Sequence, residues 1–321
     1  MIGSGALIVG LNAVIVAVDE DAPQLLVVPS GEGAPALPFG PFDPKTHRTF
    51  EIGLREWVSE QAHFQLGYVE QLYTFGDMGR EAPLAELTGT DGARVISIGY
   101  LALTPDTSNP PEGGGVWRDW YRFFPWEDWR SSEPAVIASV IAPALRRWAD
   151  EAGSPGKREA RRDRIRIAFG LDGMTWNEER VLDRYELLYE VGLVPEARRD
   201  RGEADAAPAG MGEAMASDHR RILATAISRL RAKVKYRPVV FEIMPERFTL
   251  SHLQRVMEAI VGYPLHKQNF RRALDRSGFV EGTGRMEART GGRPAELFRF
   301  RREALREGPA SGLATPRLNQ S

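Results

Sequence analysis

The chain has 321 residues, 42% of them apolar, which is enough for a packed core in each of two domains. It contains no cysteine, which excludes disulfides, thiolate metal sites and cysteine nucleophiles, and a reducing compartment, the cytoplasm, is expected. The formal net charge is −2, and no apolar run approaches the ~20 residues of a membrane-spanning helix, so no membrane partner is expected.

The N-terminal part has the pattern of strands around one helix. Two runs rich in Val, Ile and Leu flank a short acidic turn and predict a β-hairpin over residues 7–28. After a loop rich in Gly and Pro, apolar residues at helical spacing predict a helix over 50–61. Three strand-like runs follow, at 68–75, 95–103 and 117–124. Strands that flank a helix in this order indicate an α/β/α sandwich.

The middle of the chain is predicted to be mostly helical. A helix is expected over 132–150, where Pro143 should kink it or end it early. A charged run at 157–166 and a second helical segment at 176–191 come next. Residues 198–217 are dense in Ala, Gly and Asp and are predicted to form a flexible loop. A further helix over 218–235 leads into the C-terminal part.

Residues 248–300 have the pattern of a winged helix-turn-helix. Thr249 supplies a helix start, and apolar residues then recur at helical spacing until Gly262. A second helix is predicted over 266–277, and Gly278 closes it. Short strand-like runs around a turn with two arginines follow, as in a wing. Helix, turn, helix and wing thus occur in the order that a DNA-reading module requires.

The second helix of this module predicts the residues that read DNA. Phe270, Ala273 and Leu274 take one face and leave polar and basic side chains on the other. Gln and Asn can pair bidentately with adenine and Arg with guanine, while basic wing residues suit phosphates. The predicted DNA contacts are Lys267, Gln268, Asn269, Arg271, Arg272, Arg289 and Arg293.

Charge is segregated along the chain. Residues 247–306 contain thirteen Lys or Arg against six Asp or Glu, a net charge of about +7, so the remainder carries about −9. A basic module attached to an acidic body is the electrostatic footprint of a nucleic-acid-binding protein. The alternative interpretation is a solvated basic surface on a small helical bundle.

Two parts of the chain resemble the NrtR family of NAD-metabolism repressors. Two segments are similar to the Nudix-like sensor domain of that family: YVEQLYTFGD at 68–77 and RVISIGY at 94–100. Segments similar to its linker helix and winged domain are DHRRIL at 218–223, LRAK at 230–233, PERFTL at 245–250, NFRR at 269–272 and GRPA at 292–295. Residues 130–217 do not match NrtR, and an insertion of this kind resembles the alphaproteobacterial relatives called NadQ.

The resemblance implies an α+β protein in which a Nudix-like α/β/α sandwich precedes a C-terminal winged helix-turn-helix domain. The expected parts are a ligand-sensing domain at 1–150 and a helical insert with a flexible linker at 151–217. A linker helix at 218–240, the winged domain at 241–306 and a disordered tail at 307–321 follow. It also implies a homodimeric repressor of NAD biosynthesis genes, bound to double-stranded operator DNA. A nucleotide effector, ADP-ribose, NAD or ATP, would control that binding, with no cofactor required and Mg²⁺ possible.

The Nudix hydrolase motif itself is degenerate. Several glutamates normally hold the divalent cations that activate water. Alignment of Arg55 and Glu56 with the motif's Arg-Glu pair leaves only these two residues and Glu60 in place. Other residues stand at four motif positions: Pro41, His47, Ser59 and Ala62. Glu56 and Glu60 share a helical face and form a vestigial metal site, or Arg55 and Glu56 form only an exposed helix pair.

A degenerate Nudix fold still predicts a cleft for a nucleotide diphosphate. Its candidate phosphate ligands are arginines, and Tyr73 or Phe75 is a candidate for contact with a ring. The arginines are Arg48, Arg55, Arg80 and Arg94. The alternative for each is an ordinary surface charge or a packed aromatic. Seven aromatic residues between 117 and 129 are compatible with ring stacking or with core packing.

Two further functions fit parts of the pattern. One is a Nudix hydrolase of ADP-ribose or a related nucleotide diphosphate, against which the missing glutamates weigh. The other is a protein-interaction adaptor, for which fewer arginines are expected on the second helix and the wing.

Overall fold

The structure, a computed structural model, describes residues 7–19, 21–31, 33–77, 93–108, 114–203, 206–287 and 294–305. A mixed six-stranded sheet forms the centre of the larger part. Its strands are β1 (Leu7–Asp19), β2 (Ala22–Val27), β3 (Phe39–Pro41), β4 (Tyr68–Phe75), β5 (Arg94–Leu103) and β6 (Val116–Asp119). Their order is β4-β5-β1-β2-β6, and β3 pairs with β1.

Strand β1 organises this sheet. It forms the predicted antiparallel hairpin with β2, and it runs parallel to β5 from Leu7↔Arg94 to Val16↔Leu103. Its side chains alternate between two apolar layers, because successive residues of a strand point to opposite faces. Leu11, Ala13 and Ile15 belong to one layer, and Val14, Val16 and Val18 belong to the other. Both faces of the sheet are covered, which explains the nearly continuous apolar run in the sequence.

Helices cover the two faces. The body contains α1 (Phe50–Ala62), α2 (Ala142–Asp150), α3 (Pro155–Phe169), α4 (Val181–Glu190), α5 (Pro195–Asp200) and α6 (His219–Tyr236). Helix α1 packs Leu54 and Val58 onto the face that carries Leu11. Helix α6 packs Ile222 and its apolar neighbours onto the opposite face, together with the insert. The predicted α/β/α sandwich is therefore confirmed.

The helix predicted over 132–150 does not end early at Pro143, because α2 continues to Asp150. A π-helical turn, Ile137–Ile141, precedes α2, and Pro143 lies in the first turn of α2. Proline has no N–H and its ring collides with the carbonyl four residues earlier, so the regular α-helical pattern gives way just before it.

Two segments differ from the sequence-based expectation. The strand predicted over 117–124 ends at Asp119, whose Oδ1 accepts a hydrogen bond from the backbone N–H of Tyr121 at 2.8 Å and starts a 3₁₀ turn. Trp120, Phe123 and Phe124 beyond it are buried in the core, so these rings pack and do not offer a stacking surface.

The second difference concerns the loop predicted at 198–217. The described residues of this segment pack against the body, because Met211 and Met215 are buried in the main core. The backbone N–H of Met215 donates to Glu196 Oε1 at 2.9 Å, and that of Ala216 donates to the Pro35 carbonyl at 3.0 Å. The prediction of a flexible loop was wrong there, since contacts distant in sequence hold a segment of loop-like composition.

The C-terminal part is a winged helix-turn-helix. It contains β7 (Phe248–Thr249), α7 (Leu250–Val261), α8 (Lys267–Ser277), β8 (Val280–Glu287) and β9 (Ala295–Phe300), and the sheet order is β7-β9-β8. As predicted, Thr249 caps α7 by accepting from the His252 N–H at 3.1 Å, and Gly262 ends that helix. The wing tip and the tail at 307–321 lie outside the described residues, and the exact domain boundaries stay predictions.

Within the described ranges, no helix is both long enough and apolar enough to span a bilayer.

Candidate DNA-binding surface and nucleotide site

Helix α8 presents a polar face to solvent. Phe270, Ala273 and Leu274 are buried and fix the rotation of the helix about its axis. The opposite side therefore faces outward, and Lys267, Gln268 and Arg272 are exposed on it. An exposed cationic and amide face on the second helix of this motif has the chemistry to contact phosphates and base edges.

The other predicted DNA contacts lie elsewhere. Asn269 and Arg271 are half-buried at the margin of the α8 face. Arg271 Nη2 donates to Ser251 Oγ, in the first turn of α7, at 3.3 Å, and desolvation lowers the pKa of Arg271. This guanidinium bridges the two helices of the motif. Arg289 and Arg293 fall outside the described residues.

The structure adds one exposed cation that the sequence did not single out. Arg285 lies in β8 just after Gly284, which has a positive φ of 67°, where the pairing of β8 with β9 shifts register. A bulge re-aims the side chains beside it. The glycines on either side of Thr283 were the available signal, because glycine inside a strand often marks a bulge.

In the Nudix-like region, His47 occupies the position of a missing glutamate. It is buried, and its Nδ1 accepts a hydrogen bond from the Asp43 N–H at 3.0 Å. The proton of the neutral ring therefore lies on Nε2, which faces Glu56 Oε2 at 3.2 Å. The His47 ring thus contacts the Glu56 carboxylate. In a Nudix hydrolase, that carboxylate would share a divalent cation with the first glutamate of the motif.

The residues of this region do not fit a Mg²⁺ cage. Glu60 is exposed one turn beyond Glu56. In the part of the chain that the structure describes, no group of three or more His, Cys, Asp or Glu side chains is placed to hold a metal ion. Mg²⁺ demands a near-octahedral set of oxygen ligands, and a histidine beside one carboxylate is a poor substitute.

Arg55 is committed to the local structure. Its Nη2 pairs with Glu51 Oε1 at 2.8 Å, one turn earlier in α1, and not with Glu56. The guanidinium also donates to the backbone carbonyls of Leu66 and Gly67, the latter at 3.2 Å. Arg55 therefore fastens the loop between α1 and β4.

Two of the remaining nucleotide candidates, Arg94 and Tyr73, lie at the other end of β4. Arg94 is exposed and its Nη2 donates to the Gly76 carbonyl at 2.6 Å, while Tyr73 is exposed on β4 beside the ring of Phe75. Arg55 is bonded to the Gly67 carbonyl and Arg94 to the Gly76 carbonyl. These two glycines are nine residues apart along the extended strand β4, a distance of roughly 30 Å at about 3.3 Å per residue. Arg55 and Arg94 therefore cannot contact one diphosphate. Arg48 is exposed just before α1, and Arg80 lies outside the described residues.

The structure also shows a cavity that the sequence did not predict. It measures about 460 Å³ and lies between the end of α1, the start of β4 and the end of β5. Phe64 and Tyr68 supply rings, and Asp106 and Glu242 supply carboxylates. Its two carboxylates disfavour a phosphate, and neutral polar side chains such as Gln65, Thr104 and Ser108 in the lining suit a ring or an amide. Glu242 belongs to the segment that joins α6 to the winged domain.

Comparisons with known proteins agree with this architecture. The family model of the NrtR DNA-binding winged helix domain matches residues 240–300. A curated relative, the ADPR responsive transcriptional repressor NtrR of Acinetobacter baylyi, is 42% identical over 86 residues, which are 27% of this chain. The aligned part spans only 34% of that relative's length, about a third.

Solved structures resemble the chain over nearly its whole length. Shewanella oneidensis NrtR has a TM-score of 0.54 at 18% identity, and the match covers 95% of this chain and 96% of that chain. The complex of Shewanella oneidensis NrtR with a 27mer DNA has a TM-score of 0.51 at 18% identity, and the match covers 92% of this chain and 94% of that chain. A MutT/nudix family protein from Enterococcus faecalis has a TM-score of 0.52 at 13% identity, covering 94% and 89%. At these identities the likeness establishes the fold alone. The resemblance to NrtR is confirmed as a Nudix-like body followed by a winged helix domain of the NrtR type.

Proposed function

We propose that the protein is a transcriptional repressor whose binding to operator DNA is controlled by a NAD-related nucleotide. The observation that carries the proposal is the outward face of α8, where Lys267, Gln268 and Arg272 are exposed on a winged helix that matches the NrtR DNA-binding domain. The repressor named among its relatives is ADP-ribose responsive, so ADP-ribose is the proposed effector, ahead of NAD and ATP.

The DNA contacts that we propose are six of the seven predicted basic and amide residues of α8 and the wing, all except Arg271. In this proposal the exposed residues contact bases and phosphates first, and Arg271 acts by fixing α8 against α7. Arg285 adds a phosphate contact on the wing. A homodimer would present two such surfaces to an operator with two half-sites, since a two-fold axis in the protein matches a palindromic site. NAD biosynthesis genes are the proposed targets.

The proposed sensor binds its nucleotide without hydrolysing it. The contact between His47 Nε2 and Glu56 Oε2, at 3.2 Å, occupies part of the cation site on which Nudix hydrolysis depends. Arg94 and Tyr73 are the proposed nucleotide contacts at one end of β4. To control DNA binding, the effector must favour one arrangement of the protein by a difference in affinity.

A fluorescence-anisotropy titration onto DNA from upstream of NAD biosynthesis genes tests the proposal. Wild-type protein should bind selectively, more weakly at higher salt, and ADP-ribose should shift the apparent Kd. The variant Lys267→Ala/Arg272→Ala should lose affinity. Its matched control, Arg162→Ala/Arg180→Ala, removes two cations from exposed ion pairs in the insert and should bind like wild type. Equal binding by all three proteins would refute the assignment of the surface.

The hydrolase alternative has its own discriminating assay. Glu56 and Glu60 are the carboxylates left from the motif, so a residual activity would release AMP from ADP-ribose in a Mg²⁺-dependent manner and would disappear in Glu60→Gln. We expect turnover at background in both proteins. Activity that Glu60→Gln abolishes would make the protein an enzyme.

A further inference from the structure

The C-terminal end of α7 does not end in solvent; it ends on the body of the molecule. The last carbonyls of a helix have no partner within the helix and need donors from elsewhere. Here the donors come from the segment after β6 and from α6. The bonds are Tyr121 Oη to the Ala259 carbonyl at 2.8 Å, Arg231 Nε to the Ile260 carbonyl at 2.9 Å, and the Trp129 N–H to the Gly262 carbonyl at 2.7 Å.

Glu127 lies at the centre of these contacts. Its carboxylate accepts from Arg231 Nη1 at 2.6 Å and from Arg184 Nε and Nη2 at 2.5 and 2.8 Å. All three side chains are fully buried, with 0% exposure each. Arg231 belongs to α6 and Arg184 to α4 of the insert, so one carboxylate joins two arginines from different parts of the fold.

Arg184 in turn gathers the insert around itself. Its Nη1 donates to the carbonyls of Ala168, at the end of α3, and Asn177, both at 2.9 Å. The guanidinium carbon lies 3.8 Å from the centroid of the Trp176 ring, a cation–π contact. The hydrogen bonds of Arg184 therefore go to the insert and to Glu127, whereas Arg231 bonds Glu127, the Ile260 carbonyl of the winged domain and, at 3.1 Å, the Glu178 carbonyl of the insert.

Gly262 shows how closely the parts approach. It has a positive φ of 83°, and a Cβ added there would lie 2.5 Å from the Glu127 carbonyl oxygen and 2.7 Å from Arg231 Nη2. Backbone of the winged domain thus rests directly on the buried ion pair, with no space for a methyl group.

We propose that Glu127 is an anchor through which the insert sets the orientation of the winged helix domain on the Nudix-like body, beside the direct contact of Tyr263 Oη with Glu178 Oε1 at 3.3 Å. Arg184 fixes the Glu127 carboxylate from the insert side. That carboxylate fixes Arg231, and Arg231 holds the end of α7. A charged group with several buried hydrogen bonds has few alternative arrangements, because each broken bond leaves a buried polar atom unpaired. A domain orientation fixed in this way does not depend on DNA or nucleotide binding.

Hydrogen–deuterium exchange of the full chain tests this proposal. Arg184→Met removes the insert's hold on Glu127, yet leaves Glu127 and Arg231 as a neutral pair of charges, so the fold should persist. We expect amide exchange in the last turn of α7, residues 258–262, to rise at least tenfold. The control Arg180→Met, one turn earlier at the start of α4 and in an exposed pair with Asp183, should leave that turn unchanged.

A second variant approaches the anchor from the opposite side. Gly262→Ala should raise amide exchange in the last turn of α7 and also around residues 126–129. The added methyl group would push these two segments apart. If Arg184→Met does not fold, Arg184→Lys is the measured variant, since lysine keeps the charge but not the forked geometry. The proposal is overturned if the folded variant exchanges faster only within the insert while residues 258–262 remain as protected as in wild type.

Discussion

Arginine serves opposite purposes in the body and in the winged domain. Arg184, Arg220 and Arg231 of the body are completely buried, each among carboxylates and backbone carbonyls. Arg272 and Arg285 of the winged domain are exposed. A guanidinium has five donors, so it can organise several chain segments when buried and can contact phosphates when exposed. Position in the fold, and not the count of charges, decides which of these roles an arginine takes.

The largest expected effect is on stability and comes from replacing a buried arginine, Arg220. Arg220 Nη1 pairs with Glu196 Oε2 at 3.1 Å, and its Nη2 donates to the Met211 carbonyl at 2.6 Å. Arg220→Met should lower the free energy of unfolding by about 3–5 kcal/mol, because it leaves a buried carboxylate unpaired. Urea unfolding measures this.

The double variant Arg220→Met/Glu196→Gln supplies the control for that experiment. Neutralising Glu196 removes the buried unpaired charge, so part of the lost free energy of unfolding should return. A loss below about 1 kcal/mol in Arg220→Met would mean that the buried arginines are dispensable for stability.

The next effect comes from His219, the neighbour of Arg220 at the start of α6. Its Nδ1 accepts from the Leu37 N–H at 3.1 Å, and burial, reinforced by the charge of Arg199, lowers the pKa of His219 to about 3. Between about pH 6.5 and pH 3 the unfolded chain binds a proton at this residue and the native protein does not. The free energy of unfolding therefore falls as pH falls through this window, by about 2 kcal/mol at pH 5.

Urea unfolding at pH 7 and pH 5 checks the His219 prediction. His219→Gln, which cannot titrate, should show a smaller loss between the two pH values than wild type. His63→Gln replaces an exposed histidine and should keep the full loss. The same pH dependence in His219→Gln and wild type would assign the titration to other groups.

A smaller effect sharpens the comparison on the exposed side, within α8 itself. Arg272→Ala should weaken binding to any DNA by about 1 kcal/mol and reduce the salt slope by about 0.9 for one lost phosphate contact, with stability unchanged. Arg271→Ala should lower stability instead, because Arg271 bonds Ser251 between the two helices. Titrations at several salt concentrations and urea unfolding of both variants separate these roles. Identical salt slopes for Arg272→Ala and wild type would contradict the phosphate contact.

The sequence predicts the local part of this molecule well. Apolar periodicity and end residues located the β1–β2 hairpin, α1 and both helices of the winged domain, because each signal lies within the element that it describes. The buried arginines gave no such signal. Glu127 and Arg231 are 104 residues apart, and the bond that holds Met215 depends on Glu196 in α5, 19 residues earlier. Only the folded chain brings these groups together.

In the candidate site, too, the sequence predicts the local features and not the contacts that depend on the folded chain. Helical spacing identified the exposed face of α8, since burial of Phe270 and Leu274 fixes which side faces out. Alignment to the Nudix motif also identified His47 as a replaced glutamate. The contact of His47 with Glu56 could not be read from the sequence, because it depends on the loop conformation that places the Asp43 N–H on Nδ1.

The smallest expected effect tests whether Arg55 belongs with the structural or the ligand-binding arginines. It is half-exposed, and its contacts with Glu51, Leu66 and Gly67 fasten a surface loop. Arg55→Ala should therefore cost no more than about 1 kcal/mol of stability. ADP-ribose affinity, measured by calorimetry, should change less than twofold, since Arg55 lies at the opposite end of β4 from Arg94. Glu51→Ala removes the same ion pair but spares the bonds to the loop, so it should be milder still. A tenfold loss of ADP-ribose affinity in Arg55→Ala alone would place the diphosphate at the α1–β4 loop and move the nucleotide site away from Arg94.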